Sequence, residues 1–357
     1  MSDEVVTDEA ARDLLEELVA IPSPTGEEAA AAERLAAFFE EAGRKVWIDE
    51  VGNVRAPADD SVLLTSHVDT VPGEIPVRVE ETEDGIEELW GRGSVDATGP
   101  LAAMAAAAVE TGVSFAGVVG EETDSRGARH LVADREAPDA VVNGEPSGWD
   151  GVTLGYRGFL AGEYAVGTDS AHTSRPEPNA IQDAMAWWSR VDAEFESGEA
   201  AETPVFEQVT AKPVSFEGGT AADGLSVEAG VEAQFRIPPG ESAAGIRETV
   251  EEAVESDEGE SGDIEWREPI PPVMESPRTE VARAFRVGIR RVGGDPRLLR
   301  KTGTSDMNLY AGAWDCPMAT YGPGDSELDH APNERLDLAA FDRSIAVLKR
   351  VCEDLQE

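Results

Sequence analysis

Apolar residues recur along this chain in two alternating rhythms, and the alternation predicts the fold. In Asp8–Val19, residues Leu14, Leu15, Leu18 and Val19 follow a 3.6-residue repeat, which predicts a helix that Ile21-Pro22-Ser23-Pro24-Thr25-Gly26 breaks. Ala, Leu and Phe return at helical spacing from Glu27 to Glu41, and Gly43 closes this second helix. Short apolar runs then predict strands at Lys45–Ile48, Val62–Ser66, Ser114–Val119, Ala140–Asn143 and Met318–Tyr321. An alanine-rich helical stretch, Gly99–Glu110, lies between the second and third of these. Strand and helix in alternation predict an α/β fold, a mixed sheet with helices on both faces.

The middle of the chain breaks this rhythm. Strand-like segments at Gly158–Val166, Glu207–Ser215 and Ser226–Ile237 surround helical segments at Asn179–Glu194 and Ser242–Glu255. This order predicts a compact α+β insert of ferredoxin-like type over 157–268. The run from Glu255 to Asp263, rich in Glu, Asp, Ser and Gly, reads as an exposed turn. The α/β pattern resumes through Thr279–Val292 and ends in a helix over Leu338–Leu355. A discontinuous domain of 1–156 and 269–357 is therefore expected. At 357 residues the chain is long enough for two cores.

Charge narrows the function. Acidic residues number 73 against 29 basic ones, for a net charge of −44. So negative a surface excludes nucleic acid as a partner and suits solubility in concentrated salt, the mark of a halophilic protein. No apolar run approaches a membrane span, and Met1-Ser2-Asp3-Glu4 lacks a basic, apolar leader, so a cytoplasmic protein is expected. Cys316 and Cys352 fall in unlike segments and do not suggest a disulfide framework.

The candidate chemistry sits at strand exits. Ser66-His67-Val68-Asp69, Gly120-Glu121-Glu122 and Gly144-Glu145-Pro146 each follow an apolar run, and Leu328-Asp329-His330 follows the last strand. Gly93-Ser94-Val95-Asp96 precedes the alanine-rich helix. Taken singly, each has a plain structural reading: Asp96 as a helix cap, Glu121-Glu122 as a solvated pair, His67 and His330 as surface histidines. Together they put two of the four histidines and a set of carboxylates where open α/β sheets build their sites. Such donors suit a pair of zinc-like divalent ions. Alternation along a strand puts Asp69 on the same face as His67, placed to orient its ring. One of two adjacent acids after a strand can ligate while its neighbour serves as general base.

Here the chain resembles a known family. Ser66-His67-Val68-Asp69-Thr70-Val71-Pro72, Gly91-Arg92-Gly93-Ser94-Val95-Asp96, Gly120-Glu121-Glu122 and Asn143-Gly144-Glu145-Pro146 resemble, in order, the motifs of the M20 metallopeptidases, as does Ile21–Glu27 near the start. The resemblance implies one ion, zinc or cobalt, on His67, Asp96 and Glu145, and a second on Asp96, Glu122 and His330. It implies Glu121 as the base that activates the hydroxide bridging the ions. His172, in Ala171-His172-Thr173-Ser174, matches the insert-domain histidine that stabilises the oxyanion, often across a homodimer interface. This makes the insert a lid and dimerisation domain. Arg236 matches the arginine that holds a substrate carboxylate, and Gly303, Thr304 and Ser305 match the substrate loop. Thr98 departs from the pattern, standing where relatives commonly carry Lys or Arg.

Gly144–Gly158 and Lys301–Asn308 look most like the members that release lysine or ornithine from the C-terminal glutamate of a small acidic amino-group carrier protein, of the LysW type, at the end of carrier-dependent lysine and arginine biosynthesis. Two other readings stand beside this one: a deacylase of small N-acyl amino acids, such as acetylornithine or succinyl-diaminopimelate, and a non-catalytic M20-like binding protein. Seven basic residues in the nineteen from Arg283 to Lys301 interrupt the acidic surface, and Arg283, Arg286 and Arg290 share a helical face. They are a candidate docking patch for an acidic carrier, or an ordinary helix surface.

Overall fold

The computed structural model describes residues 7–169, 176–196, 203–255 and 262–357. The chain divides into two compact units. One takes in the chain up to Leu154, Glu275–Arg300 and Ser305–Glu357; the other comprises Gly155–Met274 and Lys301–Thr304.

The first unit is built on a mixed sheet. Its four central neighbours run parallel in the order Val113–Val118, Asp59–His67, Val141–Gly144 and Met318–Tyr321. Val54–Ala56 and Trp47–Ile48 extend it antiparallel at one side, and Gly151–Tyr156 pairs antiparallel with Met318–Tyr321 at the other. Val113–Val118, Val141–Gly144 and Met318–Tyr321 are buried at every position, as parallel strands covered on both faces must be. The helix Thr98–Thr111 is buried from Thr98 through Ala108 and packs against the sheet and the helices Asp8–Val19 and Leu338–Leu355. Alanine suits that place, because it favours helix and lets backbones approach closely. Gly112 ends this helix at φ 74°, a conformation glycine adopts without a Cβ penalty. Arg78–Glu81, Glu87–Trp90 and Arg335–Asp337 form a separate small antiparallel sheet, with Arg335 opposite Trp90.

The second unit holds a four-stranded antiparallel sheet, in the order Thr210–Thr220, Val227–Ile237, Gly158–Thr168 and Asp263–Trp266. With helices Ala180–Phe195 and Ala243–Glu255 it follows the β-α-β-β-α-β order of a split βαβ fold. Burial in Val227–Ile237 alternates with period two, and Tyr164 stacks on Trp187 at 4.2 Å between ring centroids.

Two expectations change here. Val205–Glu207 is a turn of 3₁₀ helix, so the strand expected from Glu207 runs instead over Thr210–Thr220. Asp263, expected at the end of an exposed turn, opens the strand Asp263–Trp266. Four residues are too few for a period to declare itself; pairing with Gly162–Ala165 makes them a strand. Residues 256–261 of that acidic run lie outside the described residues.

Candidate metal-dependent active site

The four parallel strands deliver their exits to one place. His67 is the last residue of its strand, Glu145 directly follows Val141–Gly144, and Glu121 and Glu122 follow Val113–Val118 after a turn at Gly120. The loop after Met318–Tyr321 leads to His330. Ligands at the carboxyl ends of adjacent strands are the expected geometry of an open α/β sheet. Asp96 arrives differently, from the turn between Glu87–Trp90 and the buried helix, across a cis Asp96–Ala97 peptide.

Asp96 is the centre of the arrangement. Its Oδ1 lies 3.3 Å from His67 Nε2 and its Oδ2 3.1 Å from His330 Nε2. Glu145 Oε1 stands 4.0 Å from His67 Nε2, and Glu122 Oε2 stands 3.1 Å from His330 Nε2. Two groups of ligand-type atoms result, His67 with Asp96 and Glu145, and Asp96 with Glu122 and His330; within each, the atoms lie within 4.8 Å of one another. These are the two trios the sequence motifs imply. The cap reading of Asp96 fails, since the helix is capped at Ala97 without any side-chain bond.

Each imidazole is presented in a defined way. His67 Nδ1 donates to the backbone carbonyl of Asp69 at 2.8 Å, which turns Nε2 toward Asp96 and Glu145. The expected contact through the Asp69 side chain is longer, 3.7 Å to Oδ1. That buried carboxylate has another task. Its oxygens accept the backbone N–H groups of Glu121 and Glu122 at 3.1 and 3.2 Å and the hydroxyl of Thr25 at 2.7 Å. Asp69 therefore fixes the turn that carries the two glutamates. His330 sits at φ 57°, a left-handed conformation uncommon outside glycine, in a loop that aims its ring at Asp96.

The electrostatics call for added positive charge. Four carboxylates, Asp96, Glu121, Glu122 and Glu145, crowd two imidazoles. Burial, reinforced by Glu145, pushes the Glu121 carboxyl well above its usual range, and burial also raises Glu122. Burial opposes ionisation of Asp96 as well, yet hydrogen bonds from His330 and His67 hold it below the normal carboxylate range. His330 is pushed up to about 9, chiefly by its bond to Asp96. Glu122 Oε1 is buried with no hydrogen-bond partner. Carboxylate and imidazole donors around a shared Asp96, with an excess of negative charge and an unsatisfied buried oxygen, fit two divalent cations.

The other candidates separate. Arg236, in the second unit, donates from Nη1 to Thr304 Oγ1 at 3.4 Å and stacks 4.8 Å from the Phe159 ring centroid. A Cβ at Gly303 would meet nothing within 4 Å. Ser305 is buried, and its side chain accepts from Met307 N to cap the helix Asp306–Ala313, with Asn308 completing the box. That hydroxyl caps a helix end. His172 lies outside the described residues. His130 faces Glu50 and Asp49 instead of the cluster. Arg283 and Arg290 are exposed, whereas Arg286 donates to the carbonyls of Ala282 and Pro277.

Sequence reasoning passed over Glu334 and gave Asp306 no role of its own. Glu334 is wholly buried and accepts the backbone N–H groups of Val95 and Asp96 at 2.9 and 3.0 Å. Asp306 is buried, and its carboxyl is pushed up to about 7, mainly by burial and against the pull of His67. Asp306 ends the Gly303-Thr304-Ser305-Asp306 stretch that resembles the substrate loop, but nothing in the sequence separated Glu334 from the chain's other acids, although it lies only four residues past His330.

This is the site of a hydrolase of amide bonds. The chain belongs to the family described as peptidase family M20/M25/M40, which matches residues 63–354. Over 355 residues it is 39% identical to the [LysW]-lysine hydrolase of Deinococcus radiodurans, covering 95% of each chain. It is 36% identical to a putative [LysW]-lysine/[LysW]-ornithine hydrolase of Thermococcus kodakarensis, covering 99% of this chain and 94% of that one. Its fold matches a tripeptidase of Staphylococcus aureus with a TM-score of 0.79 at 22% identity, over 99% of this chain and 100% of the other. Among the described residues no helix is long and apolar enough to cross a membrane.

Proposed function

We propose that this enzyme hydrolyses the amide joining lysine or ornithine to the C-terminal glutamate of an acidic amino-group carrier protein, the closing step of carrier-dependent lysine or arginine synthesis. The observation that carries the chemistry is the pair of donor trios sharing Asp96, with the Glu121 carboxyl close enough to feel the charge of Glu145, His67 and Asp96. Similarity to the Deinococcus relative over almost the whole chain supports the substrate.

His67, Asp96 and Glu145 would hold one divalent ion, zinc or cobalt, and Asp96, Glu122 and His330 the other. Such a pair supplies Lewis acidity toward the scissile carbonyl and lowers the pKa of water. Glu121 takes a proton from the attacking water and delivers it to the departing α-amino nitrogen. Asp69 holds the backbone of that turn, so the base keeps its position through the reaction. Arg236 offers a guanidinium suited to bidentate recognition of a substrate carboxylate, with Gly303 and Thr304 beside it in the second unit. His172 donates to the oxyanion, from the partner subunit of a homodimer for which the second unit serves as lid and interface. The exposed Arg283 and Arg290, with Arg286, dock the acidic carrier. The free thiols and the extreme acidity are in keeping with the cytoplasm of a halophile.

Purified protein loaded with zinc or cobalt, assayed on carrier-linked lysine, carrier-linked ornithine and acetylornithine, tests this reading. Release of the amino acid from the carrier is the expected result. Turnover of acetylornithine alone would instead make it a small-molecule deacylase, and absence of both turnover and bound metal would make it a binding protein. Reversing Arg283, Arg286 and Arg290 to Glu should raise KM for the carrier substrate; an unchanged KM removes the docking patch.

A further inference from the structure

Asp96 and His330 lie far apart in the chain, and neither sits on the central parallel sheet. What brings them together is the small antiparallel sheet: Glu87–Trp90 leads out toward Asp96, His330 leads in toward Arg335–Asp337, and Trp90 pairs with Arg335. At that junction Glu334 crosses from one loop to the other. Its Oε1 accepts the N–H groups of Val95 and Asp96, and its Oε2 accepts Arg92 Nη1 at 2.7 Å. Arg92 Nη1 also donates to the carbonyl of Ala331 at 3.2 Å, directly after His330. Gly91 N reaches the Glu334 carbonyl at 3.4 Å. The Gly91–Asp96 turn and the His330–Glu334 loop are thus tied by charge-assisted bonds between groups that are buried or nearly so.

A wholly buried carboxylate is costly unless its partners are specific. Here the partners are the backbone of the shared ligand and the loop of its neighbour. We infer that Glu334, seated on Arg92, is a positioning residue that sets Asp96 against His330 and so builds the Asp96–Glu122–His330 ion site, a role resting on the reading of these residues as metal ligands. His67 ends one parallel strand and Glu145 directly follows another, so each takes its place from the sheet. Because Asp96 serves both trios, loss of the Glu334–Arg92 tie reaches both ions, but only the Asp96–Glu122–His330 ion loses the placement of two ligands, so that ion should weaken more than the other.

The test is cobalt binding to metal-free protein, followed by visible absorption and equilibrium dialysis, for the wild type, Glu334→Gln and Arg92→Gln. The wild type should take two equivalents. Both variants should keep one and bind the second more weakly, by about 10- to 100-fold for Glu334→Gln and less for Arg92→Gln. Two equivalents bound as tightly as in the wild type by either folded variant would overturn the inference. Equal weakening of both equivalents, in step with a lower Tm of the metal-free protein, would also overturn it, since that is a general structural loss. If Glu334→Gln does not fold, Arg92→Gln decides by the same measurements. A wild type that binds no cobalt would take down the functional reading itself, and this inference with it.

Discussion

The two halves of the site share Asp96 but are mounted differently. His67 ends a strand of the parallel sheet, its side chain is 1% exposed, and its ring is held by a backbone carbonyl two residues on. His330 stands in a loop, its side chain is 53% exposed, and its backbone is left-handed. Glu145 continues a strand that is buried at every position, whereas Glu122 belongs to a turn that Asp69 holds by two N–H bonds. A ligand on a strand inherits its place from the hydrogen-bonding of the sheet. A ligand on a loop needs dedicated partners, and those partners are here: Asp69 for Glu122, and Glu334 with Arg92 for Asp96 and His330. One half of the centre is preorganised by the fold, the other by buried polar contacts.

Glu121→Gln probes what the two halves serve together. It should leave both ions in place and lower kcat by about 10³-fold, the scale of a lost general base. Metal analysis beside steady-state kinetics checks this, and retained activity would unseat Glu121. The contrast itself is tested by His67→Ala against His330→Ala. His330→Ala should keep one tightly bound equivalent and lose affinity for the second by about 100-fold or more, beyond the usual effect of an outer partner. His67→Ala should lose the strand-mounted ion instead and keep only the loop-mounted one, the less tightly held of the two. Identical cobalt titrations for the two variants would erase the distinction between strand-mounted and loop-mounted ligands.

Graded removal of metal by a chelator sharpens it further. The loop-mounted ion should leave first, giving a one-metal form. Each ion should stabilise the folded chain by about 2.7 kcal/mol at a hundredfold excess over its Kd, so Tm should fall in two steps as the ions leave. A single step would mean that the halves bind as one. The smallest effect is expected for Asp69→Asn, which still offers one acceptor oxygen to the Glu121–Glu122 turn. It should bind two cobalt ions while kcat falls by about tenfold, on the order of one lost charge-assisted bond. Loss of metal would assign Asp69 to the ligands instead.

Much of this was legible in the linear pattern, where periodicity or a motif stood behind it. The helices Asp8–Val19 and Leu338–Leu355 fall where the apolar repeat puts them, and Met318–Tyr321 where the apolar run does. The donors that the motifs imply for each ion do converge. Short strands such as Glu87–Trp90 and Arg335–Asp337 were not legible, because partners distant in the chain make them strands.

By itself the sequence determined which residue types reach the ends of the parallel strands, because side-chain period and turn chemistry are local properties written residue by residue. It also set the excess of carboxylates that suits bound cations. Only the tertiary structure decided how those acids divide their work. Asp69 turns from the His67 ring to the backbone of the glutamates, Ser305 goes to a helix cap, and Glu334 stands out from the many surface acids as the buried tie between two loops. The physical reason is that a buried polar group takes its role from the partner that satisfies it. Those partners, Thr25 for Asp69 and the Gly91–Asp96 turn for Glu334, lie far along the chain from the acids they satisfy and meet them only once the sheets have formed.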